Sequence, residues 1–265
     1  MLSFLVEQFG VFPAWLLGGI FIFFRYAVFA GPAFLFFYLL RQKQWRLFKI
    51  QQKRPNKQIV LSEITHSVLT ALIFALAGIG IYGMSQAGWT EIYTDIQEFG
   101  VLYLLLSFIS MVLIHDTYFY WIHRAMHSKF LYRQLHRVHH QSHNPTPWAA
   151  LSFHPSEALL EVAILPILTL VMPFHPIVLF AYTTWSLAWN IIGHLGYEIF
   201  PAYFVRHPFF QWFNTSTHHN MHHKHFHCNY GLYFNFWDRL MGTNHPEYLH
   251  RFDEIVHRKS ELERC

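Results

Sequence analysis

HDTYFYWIHRAMHSKFLYRQLHRVHHQSHNPTPWAALSFH, residues His115 to His154, decides how this chain is read. Within it His123 and His127 are spaced H-x3-H, and His136, His139 and His140 are spaced H-x2-H-H. The second spacing returns as His219, His222 and His223 in THHNMHH. Residues three or four apart share one face of an α-helix, so each set is expected to aim two or three imidazoles at one point from one helix. With 21 histidines in 265 residues, one H-x2-H-H arises by chance about 0.1 times per chain if positions are independent. Two of them beside an H-x3-H are therefore not accidental, and a tag would be terminal and contiguous. Imidazole suits Fe, Zn, Cu and Ni, so the convergent sets read as a polynuclear metal site.

Outside this stretch the composition points to a bilayer. The chain is 53% hydrophobic and 19% aromatic but only 13% charged, against about 25% charged in ordinary soluble proteins. Its length fits one large domain or one membrane bundle. The net charge of +4 comes from a local basic run, and no basic patch interleaved with aromatics suggests nucleic acid. Two cysteines, Cys228 and Cys265, exclude a disulfide framework or a cysteine-based zinc ribbon.

Val11 to Leu40 is apolar apart from Arg25, too long and uninterrupted for a signal peptide, and reads as a spanning helix with a kink near Pro32. Arg25 is either a residue reaching for the interface or one facing the bundle interior. Residues 41–57 carry seven basic groups and no acid, which the positive-inside rule assigns to the cytoplasm. Ile64 to Met84 spans back, Gly88 to Phe99 is an acidic outer loop, and Gly100 to Ile122 returns. At about 1.5 Å per residue, His123 lies about 36 Å beyond Phe99, just past a hydrocarbon core about 30 Å thick. Glu157 to Val171 and Pro176 to Ile192 form a further apolar pair, which returns the chain to the same side. All histidine sets then meet in a cytosolic cap, where Cys228 and Cys265 also fall. The expected fold is all-α: an integral membrane bundle of four to five apolar helices under a histidine-rich cap with a dimetal site.

HDTYFYWIHRAMH, LHRVHH, TPWAALSFHPSE, THHNMHH and NYGLYFNFWDRLMGT, in this order and spacing, resemble the fatty acid hydroxylase and sterol desaturase superfamily of membrane di-iron enzymes. The resemblance runs from about His115 to Thr243. It implies two iron ions held by histidine and O2-dependent oxidation of an unactivated C–H bond of a sterol, fatty acyl or related lipid, by hydroxylation or desaturation. An external electron donor such as cytochrome b5 or ferredoxin, with its reductase, is implied too. Carried over residue by residue, the ligands are His123, His127, His136, His139, His140, His219, His222 and His223, with His194 as a further direct ligand from N-x3-H in NIIGHLG. Asn190 either reaches a metal through a water or is a polar residue packed at a helix end. His115, Asp116, His154 and Asp238 are expected to support the ligands, with Glu157 as partner of His154 and with Asp238 and Arg239 hydrogen-bonded to ligand imidazoles. His218, His225 and His227 fall off the ligand face.

On this reading residues 1–98 are the N-terminal membrane helices, 99–245 the catalytic domain and 246–265 a polar tail, in a multi-pass protein of a bacterial inner membrane or the endoplasmic reticulum. Two other classes compete. A metal transporter would carry its ionisable groups near mid-membrane, not at the interface. A zinc hydrolase would want a carboxylate base as in H-E-x-x-H, which the chain lacks.

Overall fold

VFPAWLLGGIFIFFRYAVFAGPAF has no polar face to turn to water, and a helix apolar all round needs protein or lipid around it. In the computed structural model, which describes residues 2–258, it forms α2 (Val11–Phe34) after a short α1 (Leu2–Phe9). Met1 and residues 259–265, Cys265 among them, lie outside the described residues. Beyond Pro32 the helix widens over Leu35–Leu40, where the Arg41 N–H bonds the Phe36 carbonyl at 2.8 Å, five residues back. Proline has no N–H to continue the ladder, and the wider turn takes up the mismatch.

α3 (Lys57–Gln86) returns antiparallel to α2. The two approach closely through Gly19, where a Cβ would lie 2.6 Å from Leu72 Cδ2, and the Trp15 indole donates to the Leu72 carbonyl at 2.8 Å. Close approach over small residues is how helices associate in lipid. α4 (Gly100–Met126) is the third helix, and Val11–Leu40, Lys57–Gln86 and Gly100–Met126 are each long and apolar enough to cross a membrane. Their outward side chains, among them Phe12, Phe24, Leu102, Leu105 and Leu113, are exposed, as a lipid-facing surface requires.

After α5 (Tyr132–Leu135) the expected apolar segment 157–171 breaks at Ala163 into α6 (Pro155–Val162) and α7 (Ile164–Val171). Each is about 12 Å long, and neither crosses alone. Together with α8 (Pro176–Gly193) they make a hairpin whose turn meets the loop before α4. There the Phe174 N–H bonds the Glu91 carbonyl at 3.0 Å and the His175 ring the Thr94 carbonyl at 3.1 Å. That loop stands at the opposite end of α4 from His123, so the pair runs the depth of the bundle and back.

The cap holds α9 (Ser216–His225), α10 (Phe236–Leu240) and α11 (Tyr248–Val256). The region expected to be a polar tail thus carries a helix: Tyr248, Phe252 and Ile255 recur at i, i+4 and i+7 and are buried. The basic loop belongs to the cap as well. Ile50 N–H bonds the Gly196 carbonyl, Glu198 N–H bonds the Phe48 carbonyl, and Arg251 donates to the Ile50 carbonyl at 2.9 Å. Among the described residues there is no strand, only isolated bridges. The chain is an all-helical membrane bundle under a histidine-rich cap.

This contact predicts sidedness without reference to charge. In a background lacking both native cysteines, Lys43→Cys and His250→Cys should react with an impermeant maleimide from the same side, and Gln97→Cys from the other. Labelling of the first two from opposite sides would overturn this arrangement.

Candidate metal centre

His115, Phe119 and His123 follow one another at four-residue intervals along α4, and His127 closes its C-terminus. The structure brings nine imidazoles together at this end of the bundle, in two adjoining groups. His123, His127, His136, His140 and His222 form one; His139, His194, His219 and His223 form the other. Within each group the ligand atoms lie within 4.8 Å of one another. All nine are histidines expected from the sequence; the expectation that each set aims at one point holds for His123 and His127 but not for the two H-x2-H-H sets. His139 and His140, adjacent in sequence, turn to opposite groups, and α9 sends His219 and His223 one way and His222 the other. The cause lies in the local backbone: His139–Gln141 is a short, tightly wound turn of helix, and positions i and i+3 of α9 diverge by about 60° at 3.6 residues per turn.

Hydrogen bonding fixes the state of these rings. Nδ1 faces the carbonyl of Tyr230 in His123 (2.8 Å), of Cys228 in His222 (2.7 Å), of Ser152 in His139 (3.3 Å) and of Asn190 in His194 (2.8 Å). A carbonyl oxygen only accepts, so each Nδ1 carries the hydrogen and each Nε2 of the neutral ring presents a bare lone pair. His136 Nδ1 likewise faces Glu157 Oε1 at 2.6 Å.

Where both rings of a pair have Nδ1 committed, those lone pairs point at one another: Nε2 of His123 and His136 are 3.0 Å apart, and those of His194 and His139 3.3 Å. The Nε2 atoms of His140 and His222, and of His194 and His219, also stand 3.0 Å apart. Opposed lone pairs repel. Relief by protonation is closed off, because burial, reinforced by neighbouring imidazoles, holds His139, His140, His219, His222 and His223 well below the ordinary imidazole range. Burial pushes His194 down to about 4. A cation inside each group removes the conflict. Two imidazole nitrogens at right angles on one ion, each about 2.1 Å from it, stand about 3.0 Å apart. The donor set fits one metal ion per group.

The supporting residues depart from expectation in instructive ways. Glu157 partners His136, not His154; His154 instead caps α6, its Nδ1 2.6 Å from Ser156 Oγ. Asp238 touches no ligand-candidate imidazole. It accepts from the N–H groups of Tyr230 (2.9 Å) and Gly231 (2.8 Å) and from Thr243 Oγ1 (2.7 Å), and so holds the Tyr230 carbonyl in place for His123. Asp116 accepts from Tyr233 N–H at 2.8 Å, and His115 pairs with the Tyr233 hydroxyl at 2.7 Å. Both pin the 230–234 loop and neither joins a histidine group. Arg239 turns away to Gln211 and Trp212. A Cβ at Gly231 would lie 2.2 Å from the Phe234 carbonyl and 3.0 Å from Asp238, so this loop closes only over glycine.

Asn190 gives its amide nitrogen to the Ala150 carbonyl at 2.7 Å and its backbone carbonyl to His194. Trp148 packs edge-on against Tyr26, whereas Phe153 lies 5.2 Å from the His139 ring and lines a cavity beneath it. Sequence reasoning missed the carbonyls of Tyr230, Cys228 and Ser152, because a backbone acceptor has no side-chain signature. The one available signal was Asn229, which here takes a positive φ of 58° that asparagine tolerates better than most residues.

A helical membrane bundle that gathers two clusters of buried imidazoles at one end of its long apolar helices is the architecture of a membrane metalloprotein. Residues 108–243 match the family described as fatty acid hydroxylase, and the chain belongs to that family. It is 34% identical over 199 residues to lathosterol oxidase of Rattus norvegicus, a match covering 73% of this chain and 65% of the rat protein. It is 30% identical over 189 residues to a Delta(7)-sterol 5(6)-desaturase of Gibberella zeae, covering 71% and 57%, respectively. Methylsterol monooxygenase 1 of Danio rerio is 36% identical over 144 residues, covering 54% of this chain and 48% of that protein. The chain thus spans just under two thirds of the rat relative's length. No solved structure matches it significantly.

Two outcomes are expected. Glu157→Gln should leave the cap folded but weaken metal retention about 10–100-fold, the usual cost of losing a carboxylate that orients a metal-bound histidine; chelator competition measures it, and unchanged affinity would refute the role. Second, the metal-free protein should lose stability as pH falls. His194 has its folded pKa depressed to about 4, so the unfolded chain takes up its proton first; the stabilisation is whole above about pH 6.5 and is lost from there downward through about pH 4. Thermal unfolding in detergent from neutral pH to about pH 5 should show a falling midpoint; a flat profile would contradict it.

Proposed function

We propose that this chain is an O2-dependent lipid oxidoreductase that hydroxylates or desaturates a sterol or related lipid, with one iron ion in each histidine group. The observation that carries this reading is the pair of histidine groups with opposed, hydrogen-free Nε2 atoms standing directly above a cavity in the membrane bundle. That cavity measures about 460 Å³ and is lined by Phe119, Leu151, Phe153, Leu187 and Leu232 among others. Iron bound there supplies O2 activation and removal of hydrogen from an unactivated C–H bond. The relatives' names, a lathosterol oxidase, a sterol desaturase and a methylsterol monooxygenase, favour a sterol over an acyl chain.

The protein's own residues bind, orient and exclude water. His123, His127, His136, His140 and His222 hold one ion, and His139, His194, His219 and His223 the other. Asn190, whose amide nitrogen is taken by Ala150, keeps its side-chain oxygen for a water beside the second ion. Carbonyls and Glu157 on Nδ1 fix the ring orientations. Phe119 and Phe153, packed on His123 and His139, form the apolar ceiling that keeps water from the reacting carbon. Two electrons come from an outside carrier such as cytochrome b5 or ferredoxin with its reductase, and the basic loop at the cap suits an acidic docking partner. The positive-inside rule puts this face in the cytoplasm.

Transporter and hydrolase readings fare worse. The imidazoles lie gathered in two groups at one end of the spans, not strung through the bundle as a relay would require. Glu157, the carboxylate that touches a candidate ligand, is spent on His136 and is not placed as a hydrolytic base.

Metal analysis with Mössbauer spectroscopy should find two irons per chain; a single metal, or full activity with zinc alone, would end the di-iron reading. Alanine at His123, His139, His140, His222 or His223 should abolish turnover without preventing membrane insertion, Asn190→Ala should give a partial loss, and exposed His250→Ala should retain most activity. Equal behaviour of the two histidine groups of variants would show the ligand assignment to be wrong.

A further inference from the structure

The cavity beneath the histidines contains a carboxyl group that the metal site does not use. Glu161 lines the cavity and is only 8% exposed, yet its carboxyl makes no hydrogen bond or ion pair with any described residue, and burial raises its pKa. Its position is fixed by α6. Glu157 and Glu161 are four residues apart on that helix, so their Cβ atoms lie about 5–6 Å apart on one face. Glu157 reaches His136 at 2.6 Å, which places Glu161 one helical turn below the histidine groups. Tyr182, 1% exposed, and His115, 5.6 Å from it ring to ring, line the same wall. The Tyr182 hydroxyl has no protein partner among the described residues, and His115 spends only Nδ1, on Tyr233. A carboxyl buried among apolar side chains is costly until it gains a hydrogen bond.

We propose that Glu161 accepts a hydrogen bond from a hydroxyl of the lipid substrate, and so selects lipid alcohols whose hydroxyl lies within about one helical turn of the carbon presented to the metal site. The proposal rests on the reading that this cavity holds the substrate. A rigid ring alcohol satisfies the distance. A fatty acid does not, because its mid-chain carbons lie much farther from its head. Arg25 lines the cavity too but donates to Thr183 at 3.0 Å. Thr183 precedes His194 by 11 residues in sequence, about 16 Å along the α8 axis, too far to serve the same hydroxyl.

The test is equilibrium binding of lathosterol and of its 3-O-methyl ether to the full-length protein in lipid nanodiscs. Wild type should prefer the free alcohol about fivefold or more, the effect of one hydrogen bond to a neutral acceptor. Glu161→Leu should bind both probes alike, with affinity for the ether and metal content unchanged. Glu161→Gln keeps an acceptor oxygen and should keep most of the preference, which a merely structural role would not explain. Wild type without a preference, or Glu161→Leu with the preference intact, would overturn the proposal. Should Glu161→Leu fail to fold, the wild-type ratio and Glu161→Gln still decide it. Failure of the oxidoreductase reading has a different signature: no lipid oxidised by iron-loaded wild type with O2 and reductant, whatever the binding preference.

Discussion

The structure depends on a repulsion. Five imidazole rings are held with their Nδ1 hydrogens committed to carbonyls or to Glu157, so the Nε2 lone pairs of His123 and His136, and of His139 and His194, face each other about 3 Å apart. Such an arrangement is unfavourable in an empty protein. It is retained only where a cation turns mutual repulsion into shared attraction, and burial prevents protons from filling that role at neutral pH. Metal affinity in this family member is therefore tied to the stability of the cap itself.

The surrounding fold can be understood as the means of keeping those rings in place. Three of the four supporting carbonyls, those of Tyr230, Cys228 and Ser152, belong to loops, and that of Asn190 belongs to α8. Tyr230 is held by Asp238, the 230–234 segment by Asp116 and His115 of α4, and Ala150 by Asn190 of α8. α4 and α8 thus reach up into the cap and fix the loops that support the histidines. The same continuity brings the apolar cavity between α4, α6 and α8 directly under the imidazoles.

α6 illustrates how economically this is done. Broken at Ala163 and only eight residues long, it carries one carboxylate to a candidate ligand and, one turn on, a second to the cavity. A continuous spanning helix through 157–171 would have presented Glu161 at the same register but could not have bent α7 back toward α4.

Much of this was legible in the sequence, for physical reasons. Apolar runs of bilayer length and the H-x3-H and H-x2-H-H spacings depend only on local geometry and solvation, so they disclosed the three long helices and eight of the nine imidazoles, while His194 came from the family resemblance. Tertiary structure alone decided the rest. Which histidines share a group depends on the direction of each ring in space, so neighbours such as His139 and His140 part company. Glu157 was assigned to the nearby His154, whereas folding brings it to His136. The role of Asp238 passes through a backbone carbonyl, which every residue possesses and no sequence pattern marks. Arg25, left open between the interface and the interior, turns inward because Thr183 of α8 packs opposite it. Sequence fixes what each residue can offer; only the packed chain fixes which partner is near enough to accept it.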